Sequence, residues 1–280
     1  MLQHYHLLMT RLKFWFLLHW HKLRVQKWVV KLIGRQFTRS NSKIEIDITY
    51  KCNLRCMNCN RSCRQAPDRT HIKVDDVRKF VHDSINHKHY WERIRILGGE
   101  PTLHPEFEDI LHELLSYKIR FPRTRIEIVT NGFGKQVRRN LLRIPPMIHI
   151  ENTNKTSSIQ ETFEAFNLAP IDDPKFKNTV FSSACSNISE CGMALTPMGY
   201  YPCAISGGID RITKWNLGRK QFPESDDYMH DILNKSCALC GRFKSGIFIP
   251  YSLRKKIVGE PLSKTWSELY SDWQLNKKEM

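Results

Sequence analysis

Two rhythms alternate along residues 43–152. Runs of period two, KIEIDIT (43–49), RIRIL (93–97), RIEIVT (125–130) and PMIHIEN (146–152), read as strands. Between them lie VDDVRKFVHDSINH (74–87), PEFEDILHELLSYK (105–118) and GKQVRRNLLR (134–143). These carry apolar positions at helical spacing, as Val74, Val77, Val81 and Ile85 do. Strand, loop and helix in repeated order predict parallel strands joined by crossover helices. The chemically interesting residues fall just after the strands' C-terminal ends, the edge at which parallel α/β sheets bind ligands.

The flanks follow other patterns. Residues 1–40 read as a helix, with Phe14, Leu17, Leu18, Val25, Trp28, Val29, Leu32 and Ile33 at helical spacing and Arg24, Lys27, Lys31 and Arg35 on another face. RSNS (39–42) reads as a linker. After residue 152 the rhythm breaks, and five cysteines follow between 185 and 240. The expected division is a basic amphipathic helix over 1–40, a core over 43–180, a small metal-stapled subdomain over 181–245 and a tail over 246–280. The tail holds one short helix (263–273) with Ser263 as a candidate N-cap.

Composition changes this picture in one place. A hydrophobic fraction of 41% and a charged fraction of 26% over 280 residues are ordinary for a globular chain. The formal charge of +16 is not, and residues 1–40 supply eight Lys/Arg and no Asp or Glu. That asymmetry points to an anionic membrane surface or a polyanion beside the segment, with docking of the apolar stripe onto the protein's own core as the alternative. FWFLLHW (14–20) is short and no small-residue cleavage site follows it, so neither a secretory signal nor a transmembrane span is expected. The expected location is the cytoplasm, peripheral at the membrane if the helix docks there.

The nine cysteines are odd in number and clustered, which reads as metal ligation in a reducing compartment rather than a disulfide framework. Cys52-x3-Cys56-x2-Cys59 places three soft ligands on one loop. On a [4Fe–4S] cube this leaves one iron open, the mark of a catalytic centre. A Cys56/Cys59 redox pair, or Cys63 closing a zinc site, are the alternatives.

With LGGEPTLHP (97–105) some forty residues on, the cysteine loop resembles the radical SAM superfamily. The resemblance implies a partial (β/α)6-type barrel, shortened or completed by a strand such as 178–183. It also implies that Gly98, Gly99, Glu100 and Pro101 hold the amino group of S-adenosylmethionine. Asn58 stands where many members have an aromatic, and is carried as cofactor-binding. VTNG (129–132) is similar to the third-strand ending of relatives, so Thr130 and Asn131 either bond the ribose or organise the loop; Glu151 and Asn152 occupy a comparable place. The implied reaction is reductive cleavage of S-adenosylmethionine and hydrogen-atom abstraction from a peptide, sugar or small alcohol, with a flavodoxin or ferredoxin as electron donor.

Cys191, Cys203, Cys237 and Cys240 form a second set. Spacing alone fits zinc or iron–sulfur. After a radical SAM core, the set resembles the SPASM/twitch auxiliary extensions, which implies a second [4Fe–4S] cluster; Cys185 and Cys63 are left as spares. His87 and His89 read as an exposed helix end, and His19 and His21 as interfacial. The competing functions are RNA modification, which lacks any recognisable RNA-binding module, and a zinc-stapled binding protein.

Overall fold

The computed structural model describes residues 2–157, 164–249, 253–254, 257 and 259–278. Its chain order is α1 (Leu2–Arg24), α2 (Lys27–Ile33), β1 (Lys43–Thr49), α3 (Val74–Asn86), β2 (Arg93–Gly98), α4 (Phe107–Arg120), β3 (Arg125–Thr130), α5 (Lys135–Leu141) and β4 (His149–Asn152). Then follow α6 (Asn187–Glu190), β5 (Met193–Thr196), β6 (Gly199–Tyr201), α7 (Ala204–Thr213), α8 (His230–Leu239) and α9 (Lys264–Lys278).

The six strands form one sheet in the order β4-β3-β2-β1-β5-β6, parallel except for the β5–β6 hairpin. It is a mixed α/β fold with a mostly parallel sheet, consistent with a partial barrel. Four strands follow the expected βα succession. The sheet then grows on the other side of β1, where Ile44 faces Met193 and Ile46 faces Leu195 in parallel register. Residues 178–183, expected as a completing strand, do not form one. Thr179 makes a single antiparallel bridge to Gln26, and Phe181–Ser183 is a 3-10 turn.

Period-two alternation divides the sheet's two faces. Ile44, Ile46, Ile48, Ile94, Ile96, Ile126 and Ile128 join Phe80 and Val81 of α3 and Ile110, Leu111 and Leu114 of α4 in one buried core. Each such side chain contributes about 1.5–3 kcal/mol by leaving water. The other face carries Glu45, Asp47, Arg95 and Glu127, and it forms the wall of the cavity described below. A second core gathers Val25, Phe166, Ile205, Ile209, Leu233, Phe243, Trp266 and Tyr270 around Cys203, Cys237 and Cys240.

The segment 1–40 is two helices rather than one. Val25 is buried in the second core, and Lys27 N–H donates to Asn178 O while Val180 N–H donates to Val25 O. That pairing outcompetes helix continuation at residues 25–26. His21, expected to be interfacial, lies inside. Its Nδ1 meets Gln36 Oε1 and its Nε2 meets Phe243 O, both at 2.8 Å. At α9 the Ser263 hydroxyl accepts from Ala169 N–H, and Asp172 from another segment accepts from Thr265 N–H instead.

Candidate active site

Thr49 ends β1, and the chain then turns across the C-terminal edge of the sheet. Cys52, Cys56 and Cys59 line one cavity of about 840 Å³, together with Gly98 and Gly99 at the end of β2, Thr130 and Asn131 at the end of β3, and Thr153 and Lys155 after β4. Loops following four parallel strands therefore converge on the three thiols. All nine cysteines are free thiols.

The glycines are required by packing. Gly98 has φ +129°, and a Cβ there would lie 2.2 Å from Thr49 O; at Gly99 a Cβ would lie 2.3 Å from Lys51 O. The β2 loop is pressed against the cysteine loop, and Gly99 N–H and Glu100 N–H donate to Thr49 O and Lys51 O.

Glu100 is fully buried and does not line the cavity. Its Oε1 accepts from Thr102 Oγ1 at 2.7 Å and Thr130 Oγ1 at 2.8 Å, and its Oε2 accepts from Asn131 N–H at 2.8 Å. The carboxylate is thus spent on joining two loops, and Pro101 is buried behind it. Thr130 and Asn131 have the same organising part. Asn131 Nδ2 donates to Asn53 Oδ1 at 2.9 Å, and Asn53 Nδ2 donates to Phe133 O at 2.7 Å. Asn53, which sequence reasoning missed, so ties the cysteine loop to the β3 loop. Asn58 is buried with φ +53° and turns away from the cavity; its N–H donates to Glu260 Oε1 at 2.8 Å.

Burial pushes the Cys52 thiol up to about 12. Burial also raises Cys56, against the opposing pull of Lys155, whose Nζ sits 3.6 Å from the sulfur. Cys59 moves the other way, downward, chiefly through a hydrogen bond from the Cys63 thiol. Lys155 is a second residue that no motif singles out.

Deeper in the cavity the sheet carries a row of charges. Arg95 on β2 reaches Glu45 on β1 at 2.9 Å, Glu127 on β3 at 3.2 Å and Glu151 on β4 at 2.6 Å. Glu45, Arg95 and Glu127 are direct cross-strand neighbours, so this row is written into the register. Arg61 adds bonds to Glu45 and Asp47, both at 3.1 Å.

The second cysteine set regroups. Cys203, Cys237 and Cys240 line a small buried void together with Cys185, Ser206 and Ser236. Cys191 lies instead in the large cavity beside Arg93, Arg95 and Glu190. The two cysteines flank the one-turn helix α6 and leave it on opposite sides. Burial raises all four thiols of the void, Cys240 to about 12. Buried thiols of this kind ionise when a metal takes the charge, and the donor set suits a soft metal centre. At the first site, three thiols on one wall likewise suit an iron–sulfur cluster with a free position.

Comparison with known proteins bears on residues 46–149, which match the Radical SAM superfamily. Human "Molybdenum cofactor biosynthesis protein 1" is 31% identical over 118 residues, 40% of this chain and 16% of the relative. Its mouse counterpart is 27% identical over 184 residues, 62% of this chain and 25% of the relative. "GTP 3′,8-cyclase 2" of Mycobacterium tuberculosis is 28% identical over 100 residues, 35% of this chain and 27% of the relative. The matches therefore span about a quarter or less of these relatives' own length. A crystal structure of BtrN in complex with AdoMet and 2-DOIA aligns with a TM-score of 0.43 at 15% identity, covering 75% of this chain and 89% of that one. The matched span coincides with the loops that bring three thiols and two glycines to one cavity: residues 46–149, the part that builds this site, are what is similar to the Radical SAM superfamily.

Proposed function

We propose that the chain cleaves S-adenosylmethionine reductively at a [4Fe–4S] cluster held by Cys52, Cys56 and Cys59, and removes a hydrogen atom from a polar substrate. The observation that carries this reading is the convergence of those thiols with the bare backbone of Gly98 and Gly99 on one cavity. When bound, the cluster and S-adenosylmethionine supply the electron and the hydrogen-abstracting species. The chain's own residues do the rest. Glu100, Thr130, Asn131 and Asn53 hold the three loops in mutual register, and Lys155 favours the thiolate of Cys56. The Arg95 row presents paired charges to whatever enters, which supports a sugar, a small alcohol or a peptide's polar backbone over a hydrocarbon.

A second [4Fe–4S] cluster on Cys185, Cys203, Cys237 and Cys240 completes the proposal, with a flavodoxin or ferredoxin in the cytoplasm as electron donor. What supports a metal centre there is the gathering of four thiols around one small void.

Anaerobic reconstitution tests both halves. Two cubes give about eight irons per chain, and S-adenosylmethionine with a reductant gives 5′-deoxyadenosine, which Cys56→Ala abolishes. Cleavage retained in Cys56→Ala overturns the first assignment; four irons with one zinc overturn the second. Deuterium transfer into 5′-deoxyadenosine from candidate peptides, sugars, alcohols and GTP identifies the substrate.

A further inference from the structure

The helix pair at the start of the chain turns an apolar face outward. On α1, Met9, Leu12, Phe16, Trp20 and Leu23 follow one another at three- and four-residue steps, so they share one side, with Trp15 at its margin. All six are exposed, Trp15 to 60% and Phe16 to 59%. On α2, Trp28 and Leu32 are exposed to 64% and 76%, with Ile33 beside them. Among the described residues, packing is confined to the end of α1, where His21, Arg24 and the following Val25 are buried. His21 is anchored to Gln36 and Phe243, Val25 lies in the second core, and Arg24 Nη2 donates to Gly34 O at 3.2 Å. Docking onto the protein's own core thus uses the end of α1 and Val29 of α2, and leaves the stripe uncovered.

Charge says what covers the other. Arg11, Lys13, Lys22, Lys27, Lys31 and Arg35 are exposed around the stripe, and residues 1–40 contain no carboxylate side chain. A second copy laid face to face would set cation against cation. A nucleic acid would satisfy the cations and stack on tryptophan, but would leave Met9, Leu12, Leu23, Leu32 and Ile33 without an apolar partner. An anionic bilayer serves both sets: headgroups meet the cations, acyl chains take the aliphatic side chains, and tryptophan sits at the boundary between them. No helix among the described residues is long and apolar enough to cross a membrane, so the contact lies along the surface.

We propose that α1 and α2 seat the enzyme on an anionic lipid surface, the Met9–Leu23 stripe entering the headgroup boundary and the surrounding lysines and arginines pairing with lipid phosphates. The proposal stands apart from the chemistry of the cavity, and its test needs no turnover.

The test is sedimentation of the cluster-loaded full chain with large vesicles of phosphatidylcholine alone, or of phosphatidylcholine and phosphatidylglycerol mixed two to one. Binding is expected to the mixed vesicles and to weaken as salt rises. The double variant Phe16→Glu/Trp20→Glu should bind at least about tenfold more weakly, with its circular dichroism and iron content unchanged. Arg11→Gln/Lys13→Gln should lose about fivefold per cation on anionic vesicles only. Equal binding of the Phe16→Glu/Trp20→Glu chain overturns the proposal, as does absence of sedimentation with either vesicle. A salt-resistant dimer that this variant dissolves would assign the face to a second copy and overturn it equally.

Discussion

Removal of the Glu100 carboxylate separates two roles that sequence alone could not. A carboxylate after two glycines invites a direct contact with the ammonium of S-adenosylmethionine, yet here it is fully buried and accepts from Thr102, Thr130 and Asn131. In Glu100→Gln the retained oxygen can still serve the two threonine hydroxyls, but the new amide faces Asn131 N–H, donor against donor. One stranded buried N–H costs about 1–3 kcal/mol. In Glu100→Ala the N–H groups of Thr102 and Asn131 both lose their acceptor and a void opens, for about 3–5 kcal/mol. At roughly 2–4 °C per kcal/mol, the alanine chain should melt about 6–20 °C lower than the parent and the glutamine chain about 2–12 °C lower. Anaerobic calorimetry of the cluster-loaded chains measures this, and titration with S-adenosylmethionine measures the second readout. Glu100→Gln should bind the nucleotide within about fivefold of the parent, because no charge-assisted contact of ~1.5–3 kcal/mol is lost. The reverse pattern, an unchanged melting point with affinity lost by more than tenfold, refutes the clamp and restores the ammonium contact.

The two cysteines flanking α6 should separate cleanly: Cys185→Ala loses about four irons per chain while Cys191→Ala keeps them, as iron analysis will show. Burial pushes the Asp47 carboxyl up to about 6 despite Arg61 at 3.1 Å. The native chain therefore takes up a proton near pH 6 that the unfolded chain binds only near pH 4. This contribution is full below the unfolded value and lost as pH rises through the native one, about 3 kcal/mol at most. Denaturant midpoints between pH 7.5 and 5 should rise on acidification in the parent relative to Asp47→Asn. Arg211 donates to Ala66 O and Arg61 O at 2.9 Å behind the cysteine loop. Arg211→Met should strand those carbonyls and quicken iron loss to a chelator several-fold without touching a ligand.

The parallel core was legible because its signals are local. KIEIDIT, RIRIL and RIEIVT alternate so plainly that strand ends, and hence the loops bearing Cys52, Gly98 and Thr130, could be placed from sequence. The polar face that the charged positions of those same strands make, with its Glu45–Arg95–Glu127 row, needed the register. What escaped was long-range. Nothing near Met193 says that it will pair with β1, and nothing near Gln26 says that Thr179 will interrupt a helix with unbroken periodicity. Cys191 attracts attention through its spacing to Cys203. Cys185 reaches the same void as Cys203 only because Ser186 N–H is held by Gly246 O and α6 turns the chain between the two thiols. Asn53 and Lys155 carried no motif; their part follows from loops that meet only in the folded chain.

The two thiol sites are joined by one piece of regular structure. Cys203 stands at the N-cap position of α7, at the end where the helix dipole favours a thiolate, and Arg211 leaves the last turn of the same helix to grip the cysteine loop. Ten residues of helix span roughly 15 Å, and the middle of α7 passes against that loop at Gly208, where a Cβ would meet Asn60 O at 3.4 Å. Ser62 adds a second tie, its hydroxyl 2.7 Å from that of Tyr270 in the second core. A metal centre that fixes Cys203 therefore fixes the register of the helix that backs the first cluster's loop. With a metal bound, the second set of thiols would have a mechanical use besides any electron transfer: it would stiffen the backing against which Cys52, Cys56 and Cys59 keep a fourth corner open.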